Sequence, residues 1–121
     1  MQITQKNFYK KFLGRVGENK AAEYLIKLGY RVIAKNFKTH LGEIDIVVLD
    51  GETVVFVEVK TRSTDAFGLP SEAVNFKKRE KYFKVSEQFL IKNKLLEKQV
   101  RFDVVEIQNG EINHIKDAFC M

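Results

Sequence analysis

Gly42-Glu43-Ile44-Asp45-Ile46-Val47-Val48-Leu49-Asp50-Gly51-Glu52-Thr53-Val54-Val55-Phe56-Val57-Glu58-Val59-Lys60-Thr61-Arg62 is the stretch that decides the fold. Two apolar runs, Ile46 to Leu49 and Val54 to Val57, flank Asp50-Gly51. Short β-branched runs on either side of an Asp-Gly pair give a strong hairpin signal. The reading is a strand from Glu43 to Asp50, a turn at Asp50-Gly51 and a strand from Thr53 to Thr61. Continuous apolar runs indicate strands buried on both faces. Charged residues therefore stand at the ends of two central strands.

Side chains alternate along a strand, so Phe56, Glu58, Lys60 and, if the strand continues, Arg62 share one face. With a two-residue loop at Asp50-Gly51, Leu49 pairs with Glu52, and Asp45 lies opposite Phe56 and diagonal to Glu58. Diagonal neighbours have Cα atoms about 7 to 8 Å apart. Two carboxylates converging over that span can hold Mg²⁺ with oxygens at about 2.0 to 2.1 Å. A carboxylate at the end of a buried strand needs a cation, and Lys60 can itself be that cation. Spacing alone leaves both readings open, an ion pair of Lys60 with Glu58 or Asp45, or a metal site.

Working outward, Phe8, Phe12, Val16, Ala21, Leu25 and Leu28 recur at helical spacing from about Asn7 to Leu28, with Gly29 as the closing cap. Tyr30 to Asn36 reads as a strand. A loop from Arg62 to Leu69 leads to Pro70, suited to a helix start, and a long helix from about Asn75 to Asn93. That helix buries Phe76, Phe83 and Leu90 with Tyr82, Val85 and Phe89. Arg101 to Gln108 and Glu111 to Lys116 form two more strands across the Asn109-Gly110 turn. The expected fold is α/β, one domain over residues 1–121, in the order α-β-β-β-α-β-β.

The chain has 121 residues, 45% hydrophobic, with ten Phe and one Cys. That composition excludes wholesale disorder. The strongly apolar runs are four residues long, far short of the roughly 20 that a membrane-spanning helix needs. No apolar stretch follows Lys10 and Lys11 as a signal peptide would require, so a cytoplasmic location without membrane association is the expectation. Cys120 alone makes no intrachain disulfide. Net charge is +5 with pI near 9.3, which suggests a polyanionic partner. One segment opposes that trend, since Leu41 to Val59 holds Glu43, Asp45, Asp50, Glu52 and Glu58 and no base.

Gly42 to Asp45 followed by Val55 to Arg62 resembles the signature of the YraN-like family, bacterial proteins assigned to the PD-(D/E)xK, restriction-endonuclease-like nuclease superfamily. Gly17-Glu18, Gly29-Tyr30, Asn36-Phe37, Phe67-Gly68, Glu72-Ala73-Val74, Arg101-Phe102-Asp103-Val104-Val105 and His114-Ile115 with Ala118-Phe119 resemble it in order and spacing, over about residues 14 to 119. The resemblance implies a restriction-endonuclease-like mixed sheet flanked by helices and a nuclease dependent on Mg²⁺ or Mn²⁺. It implies Asp45 and Glu58 as metal ligands, Lys60 as the signature lysine and Glu18 as the supporting helix acid. Ile44 stands where the superfamily pattern has proline. Independently, Gly14, Ala21, Ala22 and Leu25 flank Glu18 at helical spacing, which sets it on a small apolar face.

For phosphodiester hydrolysis, the Val59 carbonyl is a further candidate ligand, Lys60 would face charge developing on phosphorus, and Arg62 would hold an adjacent phosphate. Lys6, Lys10, Lys11 and Arg15 form one basic cluster, and Lys77, Lys78, Arg79, Lys81 and Lys84 another. Lys78 and Lys81 are the candidates there for a nucleic-acid backbone, although each also reads as a solvated helix face. Tyr9 and Phe67 are base-stacking candidates that read more simply as packing residues. His40 and His114 lack partners at ligand spacing, and Asp103 reads as structural, with its sheet position leaving a metal-proximal role open. Three functions compete: a nuclease on structured or branched DNA, a non-catalytic nucleic-acid-binding module retaining the fold, and a structural or interaction protein in which Asp45, Glu58 and Lys60 form an ion network. Symmetric cutting of two strands would favour a homodimer.

Overall fold

The computed structural model describes residues 5–62 and 76–119, with side chains described over 14–62 and 78–119. The elements are α1 (Gln5–Lys27), β1 (Arg31–Thr39), β2 (Gly42–Asp50), β3 (Thr53–Arg62), α2 (Phe76–Lys92), β4 (Gln99–Gln108) and β5 (Glu111–Ile115). This is the order expected from the sequence. The strands form one mixed sheet, β1-β2-β3-β4-β5, antiparallel except for the parallel β3–β4 pair, which the α2 connection makes possible. Phe67, Pro70 and Cys120 lie outside the described residues, as do the side chains of Lys6, Tyr9, Lys10, Lys11 and Lys77. No described helix is long and apolar enough to cross a membrane.

The end of α1 follows from Gly29. Its positive φ of 95° lets Gly29 N–H reach the Ile26 carbonyl at 2.9 Å and Tyr30 N–H reach the Leu25 carbonyl at 3.0 Å. Leu25 and Tyr30 then bury together. The chain turns at once into β1.

Alternation along the strands divides the core between the helices. Ala21, Ala22 and Leu25 of α1 pack on Ile46, Val48, Val55, Val57, Val105 and Ile107. On the other face, Tyr82, Val85, Phe89 and Leu90 of α2 pack on Val47, Val54, Phe56, Phe102 and Val104. Phe56 lies edge-on to Phe89 and stacked on Phe102, with centroids 5.8 and 5.5 Å away. Towards one end of the sheet, the α2-facing row changes character. Val54 and Phe56 give way to Glu58, Lys60 and Arg62 on β3, beside Glu106 and Gln108 on β4.

The β2–β3 register differs from the sequence expectation by two positions. Asp50 pairs with Thr53 and Leu49 with Val54, so the loop is Gly51-Glu52, not Asp50-Gly51. Gly51 takes a φ of 60° in the first loop position, a setting that two-residue hairpin loops assign to glycine. The ladder ends at Ile46–Val57, and the same register carried one residue further sets Asp45 opposite Glu58. A two-residue shift preserves facing, so the two carboxylates still share a side. At the β4–β5 turn, Asn109 and Gly110 both have positive φ, 53° and 79°, as expected of an Asn-Gly hairpin.

Candidate active site at the end of the sheet

Asp45, Glu58, Lys78 and Lys81 line one cavity of about 160 Å³, together with Leu41, Gly42, Glu43, Tyr82 and Val85. β2 and β3 supply the carboxylates, and α2 supplies the lysines. Lys60 Nζ lies 3.0 Å from Glu58 Oε1, and Lys78 Nζ lies 3.4 Å from the same oxygen. The Glu58–Lys60 ion pair weighed from the sequence is thus present. Glu58 Oε2 is buried without a hydrogen-bond partner among the described residues. One oxygen is satisfied and the other is left over.

Asp45 is held by the backbone. Its Oδ2 accepts the Val59 N–H at 2.8 Å. Burial pushes the Asp45 pKa up to about 7; the Val59 bond works against the shift, and the charges of Glu18, Glu58 and Glu43 add to it. Burial opposes the Lys60 charge, but the hydrogen bond to Glu58 and the nearby Glu58 and Asp45 carboxylates hold its pKa above the ordinary lysine value. Burial and then Lys60 push Lys78 the other way. Lys60 thus stays protonated against Glu58, which borders the pocket, while Asp45 within the pocket ionises reluctantly.

Glu18 lies in a neighbouring cavity of about 490 Å³ lined by Gly14, Arg15, Asn36, Lys38 and Glu43. Among the described residues, Glu43 alone borders both cavities. With its amide nitrogen turned toward the acids, Asn36 donates to Glu18 Oε2 and Glu43 Oε1, each at 3.0 Å. Burial, partly offset by Asn36, raises the Glu18 pKa. Glu18 thus acts on Asp45 through its charge from across a wall of the pocket.

Arg62, two residues beyond Lys60, has its Nε 3.1 Å from Glu106 Oε2. Sequence reasoning missed Glu106, whose position on β4 emerges only from the parallel pairing of Lys60 with Glu106. Lys84 and His40 are exposed. His114 pairs with Asp103 at 2.7 Å through Nε2 and accepts or donates to Tyr24 Oη at 3.0 Å through Nδ1. Asp103, fully buried, also receives Arg101 through both carboxylate oxygens and the Asp117 N–H. These partners outweigh its burial and hold its pKa below the usual carboxylate value. The structural reading of Asp103 therefore stands, through partners that sequence spacing did not reveal.

Among the described residues, no three of His, Cys, Asp and Glu converge into a ready metal cluster. The donor set for a cation is two carboxylates, Asp45 and Glu58. Glu58 Oε2, a buried acceptor unmet among the described residues, and Asp45, whose raised pKa marks negative charge short of compensation, fit such an ion.

The model of the uncharacterised protein family UPF0102 matches residues 17–107. The chain belongs to this family. It is 50% identical over 115 residues to a UPF0102 protein of Alkaliphilus oremlandii, covering 90% of this chain and 98% of the relative. A UPF0102 protein of Caldicellulosiruptor bescii is 52% identical over 116 residues, covering 90% and 98%. One from Caldanaerobacter subterraneus is 46% identical over 121 residues, covering 94% and 99%. The UPF0102 match spans the segments that carry Glu18, Asp45, Glu58, Lys60, Arg62, Lys78 and Lys81.

Proposed function

We propose that this UPF0102 protein is a metal-dependent nuclease that hydrolyses phosphodiester bonds of structured or branched DNA. The observation that carries the reading is the cavity shared by Asp45 and Glu58, where Glu58 Oε2 is buried without a partner among the described residues while Oε1 faces Lys60 and Lys78. The resemblance of Gly42 to Asp45 and Val55 to Arg62 to PD-(D/E)xK nucleases supports it. Asp45 and Glu58 would hold Mg²⁺ or Mn²⁺. When bound, such an ion supplies Lewis acidity to the phosphate and activation of the attacking water.

The chain's own groups then divide the remaining work. Asp45, which lines the cavity, is held in one orientation by the Val59 N–H. Lys60 stays protonated and offers a preorganised positive charge to the non-bridging oxygens as charge builds on phosphorus. Glu106 holds Arg62 by its Nε, leaving the terminal guanidinium nitrogens for a neighbouring phosphate. Lys81 stands exposed at the cavity lip, in position to neutralise the backbone. Glu18 adds negative charge behind Asp45.

The second reading, a nucleic-acid-binding module without catalysis, is favoured by one observation. Glu58 Oε1 already faces two ammonium groups, which compensate part of the charge without any ion. Junction, flap, single-stranded and duplex DNA incubated in Mg²⁺ or Mn²⁺ separate the two. Cleavage by the wild type that disappears in Glu58→Ala and Lys60→Ala, with binding retained, supports the nuclease. Binding without metal-dependent cleavage supports the module, and no binding at low salt overturns both.

A further inference from the structure

Lys78, Lys81, Tyr82 and Val85 are spaced three and four residues apart on α2, so they fall on one helical face. That face forms the wall of the 160 Å³ cavity to which Asp45 and Glu58 also contribute. The Tyr82 ring is fixed edge-on against Phe102 and Phe119, with centroids 5.9 and 5.7 Å away. Its hydroxyl is buried yet has no hydrogen-bond partner among the described residues. Phenylalanine would pack the same ring without leaving a polar group unsatisfied, so packing does not account for the oxygen. Burial, then the charges of Glu58, Asp45 and Asp103, hold the phenol pKa well above the ordinary tyrosine value. At neutral pH the group is an O–H donor.

Tyr82, Lys78 and Lys81 thus line the cavity from α2, and Glu43, Asp45 and Glu58 line it from the sheet. That division suits a phosphate accompanied by a divalent cation. Its volume, about 160 Å³, is below the roughly 300 Å³ at which pockets begin to enclose drug-sized ligands, so a phosphate and part of its sugar fit better than a whole nucleotide.

We propose that Tyr82, with Lys78 and Lys81, forms a phosphate subsite in which the Tyr82 hydroxyl donates to a non-bridging oxygen of the phosphodiester held against Asp45 and Glu58. The proposal rests on the phosphodiester reading above and adds to it a substrate-binding residue from α2, outside the carboxylate and lysine motif.

Thymidine 5′-monophosphate in Mg²⁺ is the probe, with amide NMR shifts and affinity followed in the wild type, Tyr82→Phe and Lys81→Gln. The wild type is expected to show shifts in residues 78–82 and 42–45. Tyr82→Phe should keep or raise the melting temperature and weaken binding about ten-fold, the effect of losing one hydrogen bond to a charged group. A role confined to packing would leave affinity unmoved. Absence of shifts in these residues in the wild type, or wild-type affinity in Tyr82→Phe, overturns the subsite. If Tyr82→Phe fails to fold, Lys81→Gln decides, since Lys81 is exposed; weaker binding supports the subsite and unchanged affinity overturns it.

Cleavage assays keep the two conclusions apart. DNA cleavage lost in Glu58→Ala but unchanged, together with nucleotide affinity, in Tyr82→Phe overturns the subsite alone. Nucleotide binding at α2 without cleavage of any DNA supports the subsite and overturns the nuclease reading alone.

Discussion

The Val59 N–H donates to Asp45 Oδ2 at 2.8 Å, just past the Ile46–Val57 pair where the β2–β3 ladder stops. A carboxylate thereby replaces the backbone acceptor that β2 no longer offers. The strand end is satisfied and the side chain is immobilised by the same bond. Orientation and fold termination are one interaction here, so Asp45 cannot be judged by activity alone.

Its titration gives the first prediction. The folded-state pKa of about 7 lies above the ordinary 3.8, so the neutral form stabilises the fold fully below about pH 4 and that contribution is lost as pH rises through 7. Asp45→Asn keeps an oxygen for the Val59 N–H and removes the charge. It should be more stable than the wild type at about pH 8, by on the order of 3 to 4 kcal/mol. The gain should vanish near pH 4. Urea denaturation at the two pH values measures it, and equal gains at both would count against the assignment.

Divalent cations should act on the same charge. Mg²⁺ or Mn²⁺ at about a hundred times its dissociation constant should stabilise the wild type by about 2.7 kcal/mol, reversed by chelation. The shift should be absent in both Asp45→Asn and Glu58→Gln. A melting temperature indifferent to these ions at pH 8 would remove the cation from the site.

A third prediction concerns Gly17. A Cβ there would collide with Thr61 Oγ1, so α1 meets β3 closely at the residue preceding Glu18. Gly17→Ala gains up to about 1 kcal/mol of helix propensity but should lose about 1 to 3 kcal/mol to overpacking. The clash wins, and adding Thr61→Ala should recover most of the loss. A double-mutant cycle by denaturant titration reads the coupling.

Asp103 supplies the fourth. Asp103→Ala would leave Arg101 and His114 without their shared carboxylate, a loss of about 3 to 5 kcal/mol for a broken buried pair. Chemical denaturation should show that loss.

Much of this arrangement was legible in the chain because it depends on local signals. Gly29, Asn109-Gly110 and the Ile46 to Leu49 and Val54 to Val57 runs specify a cap, a turn and two central strands without reference to anything distant. The β2–β3 register was misplaced because Asp50-Gly51 and Gly51-Glu52 both offer a plausible loop, and only the conformation of Gly51 distinguishes them. Facing survived because the error was two residues. Lys78 reads from the sequence as a backbone-binding candidate, but its approach to Glu58 depends on how α2 crosses the sheet. Tyr82 read simply as core, since periodicity reports a buried ring and is silent about the oxygen at its tip. The place of Glu106 beside Lys60 depends on β4 lying parallel to β3, which no local pattern encodes, and the Asp103–His114 pair depends on side-chain reach across the β4–β5 hairpin, which the Asn109-Gly110 turn does not specify.

β1, one rim of the sheet, is irregular in two places: its register shifts between Val32 and Ala34, and Asn36 has a φ of 56°. The second irregularity lies at the residue whose amide reaches Glu18 and Glu43. Arg31, Lys35 and Lys38 are exposed along the same strand. A rim so bent and charged is a poor template for another chain's strand, so the distortion that serves the acids also guards the protein against edge-to-edge aggregation.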